Sequence, residues 1–115
     1  MTHRAQGIVV STARGAVVVP IEDIDWIEAA DNYARLWIGG RSYLLRESLS
    51  HLEQRLGSHG FLRAHRQAIV RLNAVRALQS GEGGELLAVL ACGERVRVSR
   101  RRRAAFAAAV RACGL

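Results

Sequence analysis

Turn signals cut this chain into short pieces. Thr12-Ala13-Arg14-Gly15, Asp31-Asn32, Gly39-Gly40, a glycine-rich stretch at 81–84 and Cys92-Gly93-Glu94 recur along it. The apolar runs between them are rich in β-branched residues and leave room only for short strands joined by tight turns. GIVVSTARGAVVVP (7–20) reads as a hairpin, with Pro20 ending its second run. Ile24 to Ala30 and Tyr33 to Ile38 read as strands about the Asp31-Asn32 turn, and Ser42 to Leu45 returns the chain after Gly39-Gly40. Residues 77–99 read as three more strands. Trp26 and Trp37 read as sheet core.

Two segments change period. In ESLSHLEQRL (47–56) the apolar positions 49, 52 and 56 have helical spacing, with Gly57 a C-cap candidate. SRRRRAAFAAAVRA (99–112) reads as a terminal helix capped by Ser99. Phe61 to Arg71 reads as a short strand followed by one helical turn near Ala68–Leu72. The expected fold is mainly β: short antiparallel strands in stacked sheets, with a mid-chain and a C-terminal helix. Residues 1–6 are expected to be a flexible end and 7–115 a single domain, a size that allows a real core.

The 115-residue chain carries a net charge of +7, and all seventeen of its basic residues are arginine. A GC-rich coding sequence accounts for arginine over lysine. It does not account for the excess of positive charge, which points to an anionic partner such as nucleic acid or anionic lipid. No apolar run approaches the ~18 residues that span a bilayer. MTHRAQGIVV lacks the features of a secretory signal, so a cytoplasmic location is the default expectation. Cys92 and Cys113 form no metal-ligand spacing and are expected to be reduced, one in a strand and one in a helix. No metal or cofactor is expected.

Three features resist a purely structural account. In FLRAHRQAIVRLN (61–73), Arg63, His65, Arg66 and Arg71 are threaded through core-like residues. Unpaired charges cannot be buried cheaply, so these side chains either pair or point out together. With ten acids against seventeen arginines, complete pairing is impossible. Next, Arg100 to Arg103 crowd the expected first helical turn, where cations are unfavourable and an anion fits. Last, Asp31, Asn32 and Tyr33 sit at a turn followed by Arg35. Asn32 suits a left-handed turn position and equally a hydrogen bond to a base. At 5% aromatic residues, a stacking mode of single-strand binding is disfavoured.

Taken in order, EAADNY, FLRAHR and VSRR resemble the LytTR DNA-binding domain, over about residues 7–112. The resemblance implies stacked short-stranded sheets and the output domain of a bacterial response regulator. It implies loops between strands that enter successive major grooves of double-stranded DNA at promoter direct repeats. A second copy on an adjacent repeat is then a candidate partner. The receiver domain that usually precedes the module is absent from this chain, which is expected to be a fragment.

On that similarity the base-contacting candidates are Arg35, Arg66, Arg100 and Asn32. The phosphate-contacting candidates are Arg63, His65, Arg71, Arg101, Arg102 and Arg103. Gln67, Arg71 and Ala34 depart from the family pattern and leave the target sequence open. Rival readings are a helix-turn-helix module using 100–111, a basic β domain for an acidic protein or anionic membrane, and a hydrolase built on Ser99 and His65. The last has no supporting motif, and the chain is expected not to be an enzyme.

Overall fold

The computed structural model describes residues 6–113. Ten strands and two α-helices make up most of it. Strands β1 (Gly7–Thr12) and β2 (Gly15–Pro20) form the expected hairpin, with Val10 paired to Val17. Strands β3 (Trp26–Ala30), β4 (Tyr33–Ile38), β5 (Arg41–Leu45), β6 (Phe61–His65) and β7 (Ala68–Arg71) make a five-stranded antiparallel sheet in the order β5-β4-β3-β7-β6. Strands β8 (Val75–Ser80), β9 (Leu86–Leu90) and β10 (Arg95–Val98) make a three-stranded sheet. Helix α1 (Leu49–Leu56) joins β5 to β6, and α2 (Arg103–Ala112) ends the described chain.

The large sheet lies between two cores, because its strands bury both faces. On one face Ile27, Leu36 and Ile69 pack with Ile8, Val10 and Val19 of the hairpin and with Leu49, Leu52 and Leu56 of α1. On the other, Ala64, Ala68 and Val70 pack with Val96 and Val98 of the small sheet and with Phe106 and Val110 of α2. Each fully buried Leu, Ile or Phe contributes about 1.5–3 kcal/mol of transfer free energy.

Burial on both faces explains one element that the sequence misassigns. Ala68 to Leu72 is not a helical turn. Ala68, Ile69 and Val70 are all buried in an interior strand, so the run is continuously apolar instead of alternating. A short 3-10 turn, Leu72–Ala74, follows it.

Other boundaries also move. Ile21–Asp23 is a 3-10 turn, which delays β3 to Trp26. Gly57 is right-handed, and the left-handed position is Gly60 at φ 82°. Arg100–Arg102 form a 3-10 turn before α2, and the Ser99 side chain makes no capping bond. Three of the four clustered arginines therefore lie ahead of the α-helix, and only Arg103 falls in its first turn. Cys92 lies in a turn and Cys113 at the end of α2, both exposed and free. Of the expected flexible end, residues 1–5 lie outside the described residues. Gln6 is tied in, its carbonyl accepting the Ile21 N–H at 2.9 Å.

Candidate nucleic-acid interface

Antiparallel register collects the three singled-out segments. Glu28 of β3 pairs with Ala68 of β7, so the turn after β3 and the turn before β7 lie at one end of the sheet. The Ala29 N–H donates to the Gln67 carbonyl at 2.9 Å and ties those two turns together. The Ser99 N–H donates to the Ala64 carbonyl at 2.8 Å, which brings the chain leaving β10 to the same end of β6.

Cavities open at this end. A larger one of about 550 Å³ is lined by residues that include Asp31, Asn32, Tyr33, Arg46 and Arg66. A smaller one of about 260 Å³ is lined by His65, Arg66, Arg97, Ser99, Arg101 and Arg102, with no carboxylate among them. Arg66 belongs to both and links the Asp31–Tyr33 segment to the arginines after β10.

Asp31, not Asn32, takes the left-handed backbone, at φ 56°. It is the only non-glycine residue with positive φ among those described. The turn's geometry is therefore met without Asn32, whose exposed side chain is left available. The β6–β7 turn is built by its neighbours. The Arg63 guanidinium donates to the His65 carbonyl at 2.9 Å, the Arg66 carbonyl at 2.6 Å and the Glu53 carboxylate at 2.7 Å. It is thus a brace between turn and α1, and its side chain is only 10% exposed.

The remaining candidates divide by what holds them. Arg71 donates to the Ile24 carbonyl at 2.8 Å and pairs with Asp25 at 3.4 Å. Asp25 also accepts the Gly39 N–H, so Arg71 closes the opposite end of the sheet. Arg103 donates to the Gly84 carbonyl at 2.7 Å and anchors α2 to the β8–β9 turn. Arg35 lies in the middle of β4 over the Trp37 ring, donating to Ser42 at 3.2 Å with Glu28 at 3.7 Å. Trp37 itself stacks on Trp26 with ring centroids 6.2 Å apart, on a partly open face and not in the deep core. Arg66, Arg100 and Arg101 are exposed, and none of them pairs with a carboxylate of the described residues.

His65 is held below its ordinary value of 6.5, first by burial and then by the positive charges of Arg97, Arg63, Arg102 and Arg66. Its Nδ1 accepts the Gln67 N–H at 3.1 Å. The neutral ring therefore carries its proton on Nε2 and remains a hydrogen-bond donor.

Sequence reasoning did not select Arg97 or Arg46. Arg97 had a readable signal: in Arg95-Val96-Arg97-Val98 both valines are buried and both arginines exposed. No group of three or more His, Cys, Asp or Glu suited to a metal occurs among the described residues. No helix among them is long and apolar enough to cross a membrane.

The chain matches the family model described as LytTr DNA-binding domain over residues 14–111. A solved structure described as the LytTr DNA-binding domain of a putative methyl-accepting/DNA response regulator from Bacillus cereus superposes with a TM-score of 0.80. It is 25% identical, and the match covers 98% of this chain and 100% of that one. Among curated proteins none matches.

Proposed function

The chain belongs to the LytTR DNA-binding domain family, and from that premise we propose that it reads a specific double-stranded DNA sequence as the output domain of a transcriptional regulator. The observation that carries this is the convergence of residues 31–33, 65–67 and 97–102 at one end of the sheet, around cavities lined by arginines. DNA presents closely spaced phosphates that such a surface attracts at any sequence, and base edges that only selected side chains read.

Arg66 and Asn32 sit on turn tips, and with Arg100 they are assigned to base edges. Arginine meets guanine O6 and N7 with two donors, and asparagine meets adenine N6 and N7. Arg101, Arg102 and neutral His65 are assigned to phosphates. Arg63, Arg71 and Arg103 are assigned to holding the turns instead, because each guanidinium already donates to a backbone carbonyl inside the fold. Arg35 is assigned to the sheet face for the same reason. The turns enter adjacent major grooves, and two copies occupy neighbouring direct repeats.

Arg66→Ala tests this reading on a duplex enriched from random sequence. The expected cost is about 1–3 kcal/mol on the enriched site, with relaxed discrimination at one base pair. An equal loss on enriched and random duplexes would reassign Arg66 to a phosphate.

A further inference from the structure

The small cavity at the end of β10 has features that generic attraction to DNA does not explain. Its six lining residues come from the end of β6 and the turn after it, from strand β10, and from Ser99 and the 3-10 turn that follows. Four of the six are arginines, Arg66, Arg97, Arg101 and Arg102, and no acid offsets them.

We infer that this cavity seats a single DNA backbone phosphate, and that Arg97 is among its ligands together with His65. The inference rests on the DNA-binding reading above and deepens it. A phosphodiester carries one negative charge on two unbridged oxygens, which accept from guanidinium, hydroxyl and imidazole N–H donors. Arg97 makes no hydrogen bond or ion pair within the described residues, so its fork is available. It stands on a strand, which sets its position more firmly than a loop does.

The surroundings of His65 favour an anion over a metal or a cationic ligand. Arg63 on its own strand, Arg66 on the turn, Arg97 on β10 and Arg102 on the 3-10 turn all face it. Glu28, which lines a neighbouring cavity with His65 and Arg97, accepts Trp37 Nε1 at 2.7 Å and lies beside Arg35. With Nδ1 occupied by Gln67, the ring supplies one donor and no charge.

The test uses the full chain and an enriched duplex whose phosphates are replaced, one at a time, by uncharged methylphosphonate. One linkage should weaken wild-type binding when neutralised. Arg97→Gln should weaken binding to the native duplex and lower the slope of log affinity against log salt by roughly 0.9. Neutralising that one linkage should then have little further effect on the variant.

If Arg97→Gln keeps the wild-type slope and the whole methylphosphonate pattern, the seat is overturned. Sequence preference that persists in that case leaves the DNA-binding reading standing. If the wild-type chain enriches no sequence at all, both fall together.

Discussion

Arg63 donates to the carbonyls of His65 and Arg66 and pairs with Glu53, while Arg66 is exposed and paired with no carboxylate among the described residues. The sequence shows two arginines three positions apart and cannot distinguish them, because the distinction depends on α1 packing beside β6. Arg63→Ala should therefore cost about 1–3 kcal/mol of folding stability, since it leaves a half-exposed carboxylate and two turn carbonyls without their donor. Arg66→Ala should change stability by less than about 0.5 kcal/mol. Urea unfolding of both variants checks the contrast. His65 gives a second residue-scale test. Its folded value lies below the ordinary 6.5, so the folded state resists protonation. Stability is then full above the unfolded value and is lost as pH falls through the folded one. Unfolding midpoints between about pH 7 and about pH 5 should drop more in wild type than in His65→Gln. Equal drops would mean that His65 is not the group responsible.

At the scale of elements, the strands were readable wherever one face is open. The alternation of β10 and the two-residue Asp31-Asn32 turn are visible in the residues themselves. β7 was not readable, because an interior strand buried on both faces loses its period-two signature. The start of α2 was misread for another reason: Ser99 followed by four arginines carries a capping signal, but the chain first makes a 3-10 turn. The segment that should carry function was thus legible by its charge, while its shape was not. α2 matters to the site because it packs Phe106 into the second core beneath that turn. Phe106→Ala should cost about 3–5 kcal/mol, as expected for a fully buried ring. Amide hydrogen exchange should report the loss first in residues 99–113, since Ser99 and α2 hold that segment against β6. Unchanged protection there would contradict the packing described.

For the whole molecule, charge and topology act together. Arg35, Arg55, Arg63 and Arg71 pair with carboxylates. Most of the other arginines among the described residues do not, and several of those meet at one end of the large sheet. Composition alone indicated an anionic partner. The antiparallel register is what brings Asn32, Arg66 and Arg102 to one surface, and register is set by the pairing of residues far apart in sequence. The decisive measurement is a binding selection on random duplex DNA, followed by titration of the enriched site and a scrambled duplex at two salt concentrations. The expected result is an enriched motif bound roughly a thousandfold or more above scrambled DNA, with affinity for both falling steeply with salt. Weak binding that is equally salt-sensitive on every duplex would mean that the arginines grip polyanions without reading sequence, and would contradict the account.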